Sequence, residues 1–167
     1  MADDPPRAWT IRVAEARDVP TLADWRYDFR AAETRAQEPR AAFIDRCVQW
    51  MHARLAEPDR WHAWIAQDDT GPAGQIWTQI FDKVPNPVDE AEAHAYITNL
   101  YVRPSVRGTG IGAALLHTAI DWCRTRGVHS VLLWAPADRH ALYLRHGFVS
   151  PAEILELADG APPGARA

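Results

Sequence analysis

The clearest chemistry in this sequence is carried by Arg107, Gly108, Gly110 and Gly112. Glycine has no Cβ, so a backbone rich in it can come close to a bulky anion. Directly after these residues, Ile111, Ala114, Leu115, Thr118, Ala119, Trp122 and Cys123 recur at the i, i+3, i+4 spacing of one helix face. The first turn of a helix carries N–H groups without partners and the positive end of the peptide dipoles. Ahead of the glycines, Tyr96 to Val102 alternate β-branched and aromatic residues as a strand would, and Arg103-Pro104 stops the run. A strand that feeds a glycine turn and then a helix is a seat for a phosphate or pyrophosphate. The same glycines also fit a connection that only lets a helix pack closely on a sheet.

Spacing separates the kinds of phosphate site. A mononucleotide loop needs a lysine after its glycines, and Lys83 is the only lysine in the chain. The dinucleotide fingerprint Gly-x-Gly-x-x-Gly is not supplied by Gly108-Thr109-Gly110-Ile111-Gly112. What fits is Arg-x-x-Gly-x-Gly, formed by Arg107, Gly110 and Gly112 after a strand ending Leu-Tyr-Val-Arg-Pro. This resembles the coenzyme A pyrophosphate loop of the GNAT superfamily of N-acetyltransferases. The resemblance implies acetyl-CoA as cosubstrate, with backbone amides of Arg107, Gly108, Thr109, Gly110, Ile111 and Gly112 around the pyrophosphate. It also implies that Leu100, Tyr101 and Val102 line the pantetheine arm, where the fourth and fifth strands splay apart. The planar Arg107 guanidinium suits an oxyanion.

A second landmark of that family is Tyr143-Leu144-Arg145-His146-Gly147-Phe148. By resemblance, Tyr143 is the general acid that protonates the departing CoA thiolate, a role worth about 10²–10⁴-fold in rate. Two departures stand out. Relatives often carry Asn and Ala ahead of this Tyr, where this chain has Pro136 and Arg139. Some relatives place a Glu base on the fourth strand where this chain has Tyr96, and a phenol is a poor base near neutrality. The base candidates are therefore Glu92, His94 and Tyr96. For the acceptor, the family pattern points to the first two helices and the loop before the fourth strand, which brings Trp25, Tyr27, Asp28, Glu33 and residues 82–95 into view. Asn99, on the fourth strand, could orient the acceptor or a water. Trp134 is expected in the sheet core.

These residues need a particular set of elements to hold them. Trp9 to Val13 reads as a strand. Asp18, with Pro20 in the first turn, opens a helix to about Ala32, and a second helix follows Pro39 and stops before Pro58. Trp61 to Gln67 and Gly74 to Phe81 form a hairpin around Asp68-Asp69-Thr70-Gly71-Pro72. Residues 82–93, rich in proline and acid, form an exposed loop. After the long helix come a strand at 130–134, a helix from Ala137 to His146 closed by Gly147, and a last strand within 148–157 interrupted by Pro151. The order β-α-α-β-β-β-α-β-α-β is that of an α/β fold with a mixed sheet. It matches the GNAT fold and extends the resemblance over residues 9–157 as one domain. Residues 1–8 read as a loose arm and 158–167 as a flexible tail.

Composition fits this reading. The chain has 167 residues, 47% hydrophobic and 24% charged, enough for a real core. A net charge of -4 argues against nucleic acid as the main partner. Cys47 and Cys123 fall on apolar helix faces and read as reduced core residues, which points to a cytoplasmic setting. No leader or membrane-spanning run is apparent. The histidines lack metal-ligand spacing, so no metal is expected. The expected function is acetyl transfer from acetyl-CoA to a primary amine of a small molecule or peptide. A CoA-binding sensor without turnover is the alternative. Homodimerisation, common in the family, leaves no mark in the sequence.

Overall fold

The structure is a computed structural model that describes residues 8–33, 38–152, 154 and 155, without the side chains of Ala32 and Glu33. The expected arm, apart from its last residue, and the tail lie outside the described residues, as does the Glu33 side chain. Two compact units make up the chain, Met1–Trp134 and Ala135–Ala167.

The first unit is built on a five-stranded sheet: β1 (Trp9–Val13), β2 (Trp61–Asp68), β3 (Gly71–Asp82), β4 (Ala93–Val102) and β5 (Ser130–Leu132). The strands lie side by side in chain order. β1 to β4 pair antiparallel and β4 pairs β5 in parallel. The parallel step needs a crossover, which α3 (Ile111–Thr125) supplies. The hairpin joining β2 and β3 turns at Asp69-Thr70. Asp68 Oδ1 accepts from the Thr70 N–H at 2.8 Å, and Gly71 takes φ +112°.

Helices α1 (Val19–Glu33) and α2 (Arg40–Leu55) pack on one face of the sheet. There Val19, Leu22, Ala23, Cys47 and Met51 meet Trp61, Ala63, Ile65 and Trp77. Both cysteines are free and buried, as expected. Burial pushes the Cys123 thiol up to about 11, which keeps it protonated and unreactive. Asp18 does not cap α1 as its type and place suggested. It ends a short 3₁₀ turn, accepts the Glu15 N–H at 2.8 Å and takes a two-pronged bond from Arg12 at 2.7 and 2.8 Å. The Arg12 hydrogen bonds hold its carboxyl below the usual carboxylate range. The pair ties the end of β1 to the start of α1.

α3 covers the opposite face through Ile111, Leu115, Leu116, Ala119, Ile120 and Cys123, all buried. Gly74 lets it settle there. A Cβ at that position would stand 2.8 Å from the Tyr101 carbonyl oxygen and 3.1 Å from Leu115 Cδ1. This contact fixes how far the start of α3 stands from β3 and β4.

The second unit holds a 3₁₀ turn (Ala137–Arg139) and α4 (His140–Arg145), and Gly147 ends the helix with φ +89°. The strand expected within 148–157 does not form among the described residues. Pro151 removes a ladder donor, and Val149, Ile154 and Leu155 stay exposed. Trp134 also departs from expectation: it is 66% exposed instead of lying in the core. β5 is only three residues long and ends at Leu132, before the strand could carry Trp134 into the sheet.

Candidate active site

The glycine turn is formed as its residue types demand. Pro104–Val106 make a 3₁₀ turn after β4, and Gly108 and Gly110 take φ +83° and +90°. Those values are strained for any residue with a Cβ. Gly110 is the N-cap of α3, and the Ala114 N–H donates to its carbonyl at 3.0 Å. The amides of Ile111, Gly112 and Ala113 precede that first helical bond, so they have no carbonyl within the helix. Gly112 differs from Gly108 and Gly110. Its φ is ordinary, and a Cβ there would meet only Val102 Cγ2, at 3.5 Å.

Side chains around the turn divide between structure and ligand. Thr109 Oγ1 donates to the Val106 carbonyl at 2.7 Å and braces the turn. Ile111 is buried, so it offers only its backbone. Arg107 Nε donates to the Val102 carbonyl at 3.0 Å, which holds the guanidinium against the end of β4. Arg103 is bound elsewhere, to Asp68 and Thr70 at the β2–β3 turn.

β4 supplies the second part of the site. Its ladder with β5 covers His94↔Ser130, Ala95↔Val131 and Tyr96↔Leu132 and stops there. From Ile97 to Val102 the β5-side edge of β4 has no strand partner among the described residues. Within that stretch the strand is bulged: Trp77 pairs with Thr98 but Gln75 pairs with Tyr101, so β4 holds one more residue than β3. Asn99 takes φ +55°, the one positive value at a non-glycine residue among the described residues. The bulge leaves Asn99 and Leu100 out of the pairing with β3, which resumes at Tyr101. Leu100 and Val102 are half-buried on this unpaired stretch. Tyr101 is buried under α1, with its ring 5.4 Å from Trp25 and 6.4 Å from Phe29.

The acceptor candidates separate in space. Trp25 packs on Tyr101, and Asn99 Oδ1 accepts from Arg26 Nη1 at 3.4 Å, so this face of α1 borders the bulge. Arg26 was missed by sequence reasoning, since nothing in its spacing distinguishes it from neighbouring arginines. Tyr27 and Asp28 serve a different contact. Tyr27 stacks edge-on with Phe43, and Asp28 takes a 2.7 Å bond from Arg40, so both join α1 to α2.

The base candidates stand at the opposite end of β4. Tyr96 is half-buried, with its ring edge-on to Trp134 at 4.6 Å. Glu92 is exposed and, apart from a backbone bond from Lys83, makes no described contact. His94 is half-buried beside Phe81, with ring centroids 5.6 Å apart. Its Nδ1 is buried and has no hydrogen-bond partner among the described residues. Burial first, then the nearby His129 and Lys83, lowers its proton affinity below that of a free imidazole, which favours the neutral form a base requires.

In the second unit, Tyr143 is half-buried on α4, its ring edge-on to Phe148 at 5.9 Å. Burial raises its phenol above the ordinary value, against a smaller opposing effect of Arg139, so the hydroxyl keeps its proton. Among the described residues no group of His, Cys, Asp and Glu is arranged to hold a metal ion. No helix there is long and apolar enough to cross a membrane.

Comparison with known proteins agrees with this geometry. The family model described as the acetyltransferase (GNAT) family matches residues 21–148. A GCN5-related N-acetyltransferase from Ralstonia eutropha superposes with a TM-score of 0.76 at 27% identity, covering 92% of this chain and 100% of that one. An acetyltransferase from Clostridium acetobutylicum, crystallised with acetyl-CoA, superposes with a TM-score of 0.77 at 22% identity over 90% of this chain and 96% of that one. The mycothiol acetyltransferase of Beutenbergia cavernae is 33% identical over 106 residues, 59% of this chain. That match spans only 33% of the length of the curated relative.

Proposed function

The chain belongs to the acetyltransferase (GNAT) family, and on that footing we propose that it uses acetyl-CoA to acetylate a primary amine of a small molecule or peptide by direct attack on the thioester. The observation that carries the reading is the conjunction of two open backbone surfaces. One is the glycine turn with the free first-turn amides of α3; the other is the stretch of β4 that has parted from β5. The first suits a pyrophosphate and the second an extended arm bearing amides.

In this reading the amides from Gly108 to Gly112 and the Arg107 guanidinium hold the pyrophosphate. Backbone groups of Leu100 and Val102 pair with the pantetheine arm. Amides at the Asn99 bulge polarise the thioester carbonyl and stabilise the oxyanion. Trp25 and Asn99 border the acceptor. His94 is the base among the three candidates, because its half-buried surroundings favour the neutral imidazole. It stands at the far end of β4 from Asn99, so a chain of water carries the acceptor ammonium's proton to it. The amine then attacks, the carbon–sulfur bond breaks, Tyr143 delivers a proton to the thiolate, and the second proton lost by the new amide nitrogen restores the Tyr143 hydroxyl. Holding two substrates in line supplies much of the acceleration.

The test is thermal unfolding with acetyl-CoA, CoA and ATP at matched concentrations, followed by an amine panel read by thiol release. A ligand at 100 times its dissociation constant adds about 2.7 kcal/mol of stability. Shifts with both coenzymes and not with ATP, then thiol release with an amine, support the proposal. Shifts without release from any amine favour the sensor instead. No shift with either coenzyme overturns both.

A further inference from the structure

At the β5 end of the site, a group of polar side chains has no part in the coenzyme seat. The loop between β3 and β4 folds back on itself, with the Lys83 N–H donating to the Glu92 carbonyl at 2.9 Å. Inside this loop Glu90 is the hub. Its Oε1 accepts from Lys83 Nζ and from Asn86 Nδ2, and its Oε2 lies 3.3 Å from His129 Nδ1. His129 stands at the entrance to β5, and its N–H donates to the Ala93 carbonyl at 2.7 Å. Its imidazole meets that of His94 edge-on, with centroids 5.6 Å apart. His129 is 42% exposed, whereas His94 Nδ1 is buried without a partner. The row therefore runs from a half-buried imidazole, through a second one, to a carboxylate and the solvent.

We propose that His129 and Glu90 form the proton exit of the transferase: Glu90 fixes His129 beside His94, and His129 passes to solvent the proton that His94 takes up. This rests on the reading of His94 as the base. The balance is simple. The acceptor ammonium gives one proton, through water, to neutral His94 and becomes the attacking amine. The proton moves, through a water between the rings, to neutral His129, whose imidazolium faces the Glu90 carboxylate. It then leaves to bulk water and His94 is neutral again. Each turnover releases one proton, as conversion of an ammonium and a thioester to an amide and a thiol requires.

The groups facing His94 are His129 from β5, Lys83 and Glu90 from the preceding loop, and the apolar Phe81 from β3. Positive charge on His129 or Lys83 opposes a proton on His94, and Glu90 favours it. Replacing Glu90 or His129 is therefore expected to change how readily His94 takes a proton.

The test follows the His94 imidazole by NMR from pH 5 to 9 in the full chain, as wild type, Glu90→Gln and His129→Asn. Glu90→Gln is expected to weaken proton binding at His94 and His129→Asn to strengthen it, each by a factor of about 3 to 10. Where His129→Asn does not fold, His129→Gln serves. Folded variants whose His94 curve matches the wild type overturn the proposal, whatever the amine panel shows. With an amine from that panel, His129→Asn is expected to lower kcat and to regain activity in imidazole buffer, leaving the KM for acetyl-CoA unchanged. Loss of kcat without such rescue also overturns it. Failure of every amine in the panel counts instead against the transferase reading, and the NMR curves still decide the coupling.

Discussion

The replacement of Gly112 by alanine separates a glycine kept for a ligand from one kept for the fold. Gly112 is the second residue of α3, its φ is ordinary, and the new methyl would touch only Val102 Cγ2 at 3.5 Å, an ordinary contact. A helical Gly→Ala change removes backbone entropy from the unfolded chain and gains about 0.5–1 kcal/mol where nothing clashes. For a chain of this size that raises Tm by about 1–4 °C. The same methyl projects where the pyrophosphate must approach the first-turn amides. Losing one charge-assisted hydrogen bond costs about 1.5–3 kcal/mol, and about 2 kcal/mol weakens CoA binding roughly 30-fold. A CoA concentration 100 times the wild-type dissociation constant would then stabilise the variant by only about 0.9 kcal/mol instead of about 2.7. Thermal unfolding with and without CoA reads both effects in one experiment. A variant that is less stable without ligand, or that keeps the full CoA shift, refutes the reasoning. Gly110 is a poorer site for this experiment: at φ +90° any side chain strains the cap, so lost binding there would not distinguish ligand from fold.

Other outcomes follow from the same contacts. Gly74→Ala forces a Cβ to within 2.8 Å of the Tyr101 carbonyl oxygen, and urea unfolding is expected to show a loss of about 1–3 kcal/mol. His62, packed between Trp64 and Trp122, binds protons more weakly than a free imidazole, mainly through burial and then through Arg126. Its contribution is therefore complete above the unfolded value near 6.5 and is lost as pH falls below it, so Tm measured from pH 8 to 5 should decline less steeply in His62→Gln than in wild type. Trp134→Ala should leave Tm and the CoA shift nearly unchanged, because the ring is mostly exposed. Tyr143→Phe should lower kcat by about 10²–10⁴-fold without changing the CoA-induced shift in Tm.

Much of this molecule was legible in the order of its residues. Strand alternation, helix periodicity and the punctuation of Pro39, Gly71, Pro104 and Gly127 are local properties, set by φ limits and side-chain direction. They fixed β1 to β5 and α1 to α4 to within a few residues. The glycine turn was legible for the same reason, since such a turn followed at once by a helix is built within one short segment. Non-local contacts decided the rest. Asp28 looked available for an ammonium until α2 brought Arg40 to it, and Trp134 looked like core until β5 proved too short to bury it. Asn99 carried a weak signal, a residue tolerant of positive φ within a strand pattern, but only the register against β3 shows that it bulges. The row of His94, His129 and Glu90 joins residues from a strand, the entrance of another and a loop, brought together by the parallel pairing of β4 with β5. The sequence alone thus determined the elements and the glycine turn that opens α3. The tertiary structure decided which polar side chains are spent on packing and which are left for chemistry, because a side chain's partner depends on which surface the fold lays against it.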